Sequence, residues 1–386
     1  MIKSVFLTLV SAFLALGFLL TLLTKNADAQ PDLSKLKLPP GFKVSLYADG
    51  VPGARQMALS PEGTLYIGTI VPNKVYALPD RNRDGKPDSI ITLVENLNRP
   101  NGVAFHNGAL YIAEIGRITR YDGIEKNLDR VASLKPTVVN EELPTREWHG
   151  YKYIRFGPDG LLYVPVGAPC NVCVIEDEPR FATLMRMNAD GRNAHVFASG
   201  IRNTVGFDWH PKTKEIWFTD NGRDYLGNNL PPDELNCAPR KGLHFGFPYR
   251  YGMNVPDPEF GYLKPDNGDK HQFEAPRVPL GPHVASLGMR FYTGAQFPAE
   301  YQGSILICEH GSWNRSKKIG YRISRVTLDK KSGEPIKYQP FMEGFRQEET
   351  FWGRPVDLLQ MPDGSILVSD DFAGCVYRIH YDKYGK

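Results

Sequence analysis

The sequence predicts an all-β fold, a six-bladed β-propeller, and three observations lead there. Glycine (37) and proline (31) are abundant in a chain of 386 residues, as a turn-rich sheet protein requires. A tight turn followed by an alternating apolar strand recurs six times. The copies fill the chain at about 60 residues each, somewhat above a minimal four-stranded blade.

The elements follow in chain order. Met1-Ile2-Lys3, an apolar run from Val5 to Leu23, and Ala27-Asp28-Ala29 read as a secretory signal cleaved after Ala29. The apolar run is nearly long enough to span a bilayer, so a retained membrane anchor is the alternative. Residues 30–386 then form a single propeller domain. The clear repeats are Pro61-Glu-Gly-Thr-Leu-Tyr-Ile67, His106-Asn-Gly-Ala-Leu-Tyr-Ile112, Pro158-Asp-Gly-Leu-Leu-Tyr-Val164 and Pro362-Asp-Gly-Ser-Ile-Leu-Val368. Weaker copies are His210–Phe218, where Lys214 takes the glycine place, and Tyr301–Ile307. The turn glycine tolerates the positive φ of a tight hairpin, and the β-branched and aromatic residues after it favour strand. A sandwich of unrelated hairpins is the alternative, and the recurrence argues against it. Phe42–Tyr47 and Cys375–His380 are expected to close the ring within one blade, and 224–281 reads as a long insertion between the fourth and fifth copies.

Charge is nearly balanced (46 basic, 43 acidic), which gives no preference for nucleic acid or a membrane surface. Of five cysteines, Cys170 and Cys173 form a C-x-x-C. No histidine follows that pair, which argues against covalent haem. In an exported chain a local disulfide is expected, with a zinc or redox site as the lesser reading.

In an antiparallel hairpin, the start of the first strand and the end of the second lie at the same end. Applied to all six hairpins, this gathers two sets on one rim. The starts supply Arg55, Gln56, Asn101, Trp148, His149, Arg202, Asn203 and Arg354. The ends supply Thr69, Glu114, Val166, Asp220, Glu309 and Asp370. Guanidinium groups pair with carboxylates in bidentate fashion, and a neutral histidine is a base suited to pH 7. The rim therefore suits an anionic, metal-assisted ligand, with His149 as base. The bland reading is a solvated rim with ion pairs between blades.

Several motifs in order carry a resemblance: Trp148-His149-Gly150 running into Gly157-Pro-Asp-Gly160, Gly200-Ile-Arg-Asn203, Asp233-Glu-Leu-Asn236, Glu309-His-Gly-Ser-Trp-Asn-Arg315 and Gly353-Arg-Pro-Val-Asp357. From about residue 37 to its end the chain resembles the glucose/sorbosone dehydrogenase family, and the last two motifs resemble its sorbosone branch. These are soluble sugar dehydrogenases that use pyrroloquinoline quinone. The resemblance implies that His149 takes the substrate hydroxyl proton while hydride passes to the quinone C5. It implies that Arg202 and Asn203 contact the C5 carbonyl region, with Arg202 steadying charge that develops there. Arg354 would bind a cofactor carboxylate, and backbone oxygens of Gly222 and Arg223 would hold a calcium ion. An external electron acceptor is also implied.

Departures accompany the likeness. Gly167-Ala168-Pro169 stands where glucose-oxidising members have an acid that orients the histidine, so another group must orient His149. Val205 replaces a sugar-binding glutamine, which argues against glucose as the substrate. Arg223 replaces a proline at the calcium loop, and the family's lysine beside the cofactor has Arg315, Lys317 and Lys318 as candidates. Separately, Asp80-x-Asn82-x-Asp84-Gly85 with Asp88 has the spacing of a calcium loop without the closing bidentate glutamate, and reads as a structural calcium site, with an empty acidic turn as the alternative.

The expected function is thus a quinone- and calcium-dependent dehydrogenase, secreted or periplasmic, acting on a sugar, a sorbosone-like aldose or a polyol. Two other classes remain at this point. One is a calcium-dependent lactonase or esterase using Glu114, Asp220, Glu309 and Asp370 as ligands. The other is a non-catalytic propeller that binds a glycan or protein.

Overall fold

Alternation of apolar residues along each second strand explains how the blades pack. In Leu65-Tyr66-Ile67, Leu65 and Ile67 enter the core shared with blade 6, and Tyr66 enters the core shared with blade 2. In Ile216-Trp217-Phe218 the outer pair faces blade 3 and Trp217 faces blade 5. Side chains of period two therefore feed two different interfaces from one strand. The result is a ring of separate cores, one between each pair of neighbouring blades.

The computed structural model describes residues 31–263 and 273–383, so the signal segment expected at 1–29 lies outside the described residues. From Leu33 onward the chain is one compact unit, and it is a six-bladed β-propeller. Blade 1 is Ala54–Leu59, Leu65–Thr69, Val75–Leu78 and Ile91–Val94. Blade 2 is Gly102–His106, Ala109–Ala113, Ile118–Asp122 and Thr137–Asn140. Blade 3 is Arg155–Phe156, Leu162–Val166, Thr183–Met187 and His195–Ser199, with Leu243–His244 added in parallel at its edge. Blade 4 is Phe207–Trp209, Ile216–Asp220, Pro232–Ala238 and Val278–Pro282. Blade 5 is Ser286–Phe291, Ile305–Glu309, Arg322–Leu328 and Pro335–Met342. Blade 6 is Pro355–Gln360, Ile366–Asp370 and Cys375–Tyr381, completed by the N-terminal strand Phe42–Asp49 pairing with Cys375–Tyr381.

The hairpin turns behave as their sequences require. Gly63, Gly108, Gly160, Gly303 and Gly364 all have positive φ, and Lys214, in the glycine place of blade 4, adopts φ +63°. One expectation is corrected. Residues 224–281 are not a pure insertion, because Pro232–Ala238 and Val278–Pro282 are the outer strands of blade 4. The added segment lies between them and carries the small hairpin Arg250–Tyr251 with Val255–Pro256.

First strands contact one another around the axis. Asp357 crosses it, accepting from Met57 N at 2.9 Å and from the Tyr153 hydroxyl at 3.2 Å, with Arg290 Nη2 at 3.7 Å. Below that layer a cavity of about 540 Å³ opens at the hairpin-turn end, lined by residues of all six blades, among them Met57, Phe105, Arg155, Trp209, Phe291 and Gln360.

Candidate functional site

Every rim residue named from sequence belongs to the end of the propeller opposite those turns, at or just before the starts of first strands and at or just after the ends of second strands. His149 sits in the tight turn Glu147–Gly150, closed by Gly150 N donating to Glu147 O at 2.9 Å, with φ +50°. Its Nδ1 lies 2.9 Å from the Ala168 carbonyl. A carbonyl only accepts, so Nδ1 carries the proton and Nε2 is left as the acceptor. Ala168 O thus fills the orienting place that an acid holds in the glucose-oxidising members. Gly167 permits the approach, since a Cβ there would stand 2.5 Å from His149 Cβ and 3.3 Å from Asn203 Oδ1. Burial first, and then the positive charge of Arg202, push His149 down to about 3, so the imidazole is neutral at working pH.

Arg202 and Asn203 are held by Asp220, whose oxygens accept from Arg202 N at 2.9 Å and Asn203 N at 2.6 Å. The Arg202 guanidinium is 4% exposed. Its Nε donates to Asn171 O at 2.8 Å, Nη2 to Asn171 Oδ1 at 2.9 Å and Asp224 Oδ2 at 3.3 Å, and Nη1 to Asn221 O at 3.1 Å. Asn171 lies within the Cys170–Cys173 disulfide, which forms as expected.

Gly222 N donates to Asp233 Oδ1 at 3.1 Å. The carbonyl oxygens of Gly222 and Arg223 accept no hydrogen bond among the described residues. The Arg223 side chain turns into the added segment, where Nη1 meets Asp257 at 2.9 and 3.0 Å and Nη2 meets Glu259. Arginine in place of proline is accommodated there, with the backbone oxygens left available.

A second group sits across blades 5, 6 and 1. Arg354 donates from Nε to His310 O at 3.2 Å and from Nη2 to Gly311 O at 3.3 Å, while Nη1 has no partner among the described residues. His310 Nε2 meets Asp371 Oδ1 at 2.7 Å, and Asp371 Oδ2 accepts from Arg55 Nη1 at 2.7 Å. Burial alone would raise Asp371, but His310, Arg55 and Arg354 overcome it and hold the carboxyl below its usual range. Burial, with Arg354, pushes His310 down to about 4. The two groups are joined. Arg55 Nε donates to Asn101 Oδ1 at 2.6 Å, Asn101 Nδ2 to Lys152 O at 2.7 Å, and Lys152 Nζ to Gly150 O at 2.7 Å, beside His149.

The acids chosen at the second-strand ends are consumed by their own blades. Glu114 pairs with Arg117, and Glu309 accepts from Arg322 Nε at 2.7 Å and from the Tyr338 hydroxyl. Asp370 caps a turn, accepting from Phe372 N at 3.0 Å and Ala373 N at 2.7 Å. Arg315 is not drawn into either group: Nε donates to Lys317 O at 3.0 Å and Nη1 to Asn228 O. The Asp80–Asp88 loop lies at the turn end, beside Gly63, and Asp80 accepts from Asp84 N at 3.1 Å and Gly85 N at 2.9 Å. No cluster of three or more His, Cys, Asp or Glu side chains suited to a metal occurs among the described residues.

Sequence reasoning missed Asn171, Asp224, His310, Asp371 and Lys152. The signals were present in the C-x-x-C bracket, the Glu309-His310 pair and the Asp370-Asp371 pair, where the first acid was chosen and the second faces the site.

A family model described as TrAA12-like matches residues 36–381. An uncharacterised protein of Borreliella burgdorferi is 33% identical over 365 residues, covering 92% of this chain and 93% of that one. By fold, the chain is similar to the calcium structure of a Trichoderma reesei carbohydrate-active enzyme of family AA12, with TM-score 0.74, 18% identity, and 93% and 99% of the two chains covered. It is also similar to the holo pyrroloquinoline-quinone domain of pyranose dehydrogenase from Coprinopsis cinerea, with TM-score 0.72, 18% identity, and 91% and 98% covered. These matches single out no sorbosone branch.

Proposed function

The chain belongs to the TrAA12-like family, and from that premise we propose an exported, calcium- and pyrroloquinoline-quinone-dependent dehydrogenase that oxidises a sugar, a sorbosone-like aldose or a polyol. One observation carries this reading: a neutral, oriented imidazole, a buried guanidinium and two unbonded carbonyls share one propeller rim. The rim fits the cofactor in charge and donor type. Arg354, with Nη1 uncommitted, suits a carboxylate, and the Gly222 and Arg223 oxygens suit a hard cation. Bound quinone supplies the hydride-accepting carbon, with calcium polarising its carbonyl.

The chain's own residues do the rest. His149 accepts the substrate hydroxyl proton at Nε2, because Nδ1–H is committed to Ala168 O. Burial first, and then Arg202 through space, keep His149 neutral, and Arg202 is itself held by Asn171, Asn221 and Asp224. The Asn203 amide lies beside Gly167 at the same turn. Exposed Trp148, Tyr225 and Trp313 offer flat apolar faces on rim loops, suited to the C–H faces of a sugar ring. An external acceptor receives the electrons, since no haem-attachment motif is present in the sequence. The Asp80–Asp88 loop, at the far end, takes no part in this chemistry. The calcium hydrolase loses its ligand set, because Glu114, Glu309 and Asp370 are spent on their own blades.

The test is reconstitution. Purified protein with calcium and the quinone is expected to show the quinone's absorbance change and to reduce an artificial acceptor with aldoses, sorbosone or polyols. Absence of both binding and turnover sinks the proposal.

A further inference from the structure

Asn171, which sequence motifs did not single out, makes four hydrogen bonds at the rim. It accepts two bonds from Arg202, at O (2.8 Å) and Oδ1 (2.9 Å). The same Oδ1 accepts from Asp224 N at 2.8 Å, and Nδ2 donates to Asp224 O at 3.3 Å. One side chain thus grips the guanidinium and the backbone just after Gly222-Arg223. Asn171 has little freedom of its own, since the Cys170–Cys173 disulfide closes a loop around it. Flexible attachment would defeat this geometry, because a guanidinium sheltered from water is aimed only as well as its acceptors are fixed.

We propose that Asn171, bracketed by the Cys170–Cys173 disulfide, is a positioning residue that holds the Arg202 guanidinium in place and fixes the loop bearing the Gly222 and Arg223 carbonyls. The inference rests on the dehydrogenase reading for its consequence in turnover, but the geometry it asserts is independent of any cofactor. Ala168 joins the two residues, its N donating to Arg202 O at 2.8 Å and its O accepting from His149 Nδ1 at 2.9 Å, and after burial the Arg202 charge is the next cause of the low proton affinity of His149. Lys152, the other cation of this turn, is bonded to Gly150 O and is touched by neither variant below.

Two variants test it, Asn171→Ala and the double Cys170→Ala/Cys173→Ala. The first readout needs no cofactor: the titration of His149, followed by NMR in the histidine-labelled protein and identified by its loss in His149→Gln. In both variants it is expected to move upward, toward the ordinary 6.5, by about a unit as Arg202 is no longer held in place. The second readout is quinone affinity, expected to weaken about tenfold, as for loss of charge-assisted bonds. Lower thermal stability with His149 titrating as in the parent overturns the proposal, because a merely structural residue would behave that way. If the parent binds no quinone, the dehydrogenase reading fails while the His149 titration still decides the role of Asn171.

Discussion

His149 is the residue on which the proposed chemistry turns, and its surroundings predict how its loss will read. Among the described residues its imidazole hydrogen-bonds to Ala168 O and to no group assigned to cofactor binding, so His149→Ala is expected to lower kcat by about 10²–10⁴-fold while quinone affinity stays near the parent's. Equal loss of both, in a quinone titration set beside steady-state rates, would count against the role of base. Because burial and Arg202 depress its proton affinity, the acid limb of kcat/KM is expected well below 6.5. Lys152 gives a stability test. Burial pushes its ammonium from 10.5 down to about 7, with Gly150 O as its hydrogen-bond acceptor and no ion pair among the described residues. Between those values the unfolded chain holds the proton and the folded chain does not, so this residue's contribution rises with pH across that window and is least favourable below 7. Lys152→Met is therefore expected to stabilise the protein by about 1–3 kcal/mol at pH 6, the gain fading toward pH 10 in urea titrations. Among individual residues, the placement of His149, Arg202 and Asn203 on one rim was legible because they lie at the starts of repeated hairpins. That of Asn171 and Asp371 was not, because what ties them to the rim is a partner 31 residues away or across the ring closure.

At the scale of elements, the site is made by loops that touch. The loop after the second strand of blade 3 meets the His149 turn at Gly167. A methyl there would stand 2.5 Å from His149 Cβ and 2.7 Å from its carbonyl oxygen, and the turn's backbone has no rotamer with which to yield. Gly167→Ala is expected to leave the blades intact by circular dichroism while lowering kcat more than tenfold, since a displacement of an ångström at a base is costly. An unchanged rate would show that the two loops adapt independently. The hairpin pattern itself was legible down to Lys214, which adopts the positive φ its position demands. The third strand of blade 4 was not. Pro232–Ala238 carries Asp233, Glu234 and Asn236 where a strand would be expected to carry hydrocarbon. Those acids are buried because backbone donors meet them: Gly222 N and Ser286 N at Asp233, Gly252 N at Glu234. A polar strand whose satisfaction comes from distant loops looks like a loop in sequence, and so 224–281 read as an insertion.

For the whole molecule, the question is what keeps a ring of six separable cores from opening. The covalent chain leaves one gap, between blades 1 and 6, and the strand Phe42–Asp49 bridges it by pairing with Cys375–Tyr381. That closure was legible because both segments alternate and neither had another partner in the count of six. The strand is anchored at its first residue. Phe42 meets Phe297, Tyr301, Phe341 and Tyr381 edge-on, with ring centroids 4.7–5.0 Å apart. Those partners come from blade 5 and its turn as well as from the closing strand, so one side chain ties the N-terminal strand across a blade interface. Phe42→Ala removes a buried ring from an aromatic cage unable to collapse without moving two blades, and is expected to cost about 3–5 kcal/mol. The urea midpoint should fall accordingly, and the slope should stay the same if the ring opens as one unit. Quinone bound at the proposed rim site would raise the midpoint of parent and variant alike, because that site exists only in the closed ring. A variant whose midpoint fell while the quinone no longer shifted it would place the weak point at the rim itself, showing that closure and site are one cooperative structure instead of a scaffold and its cargo.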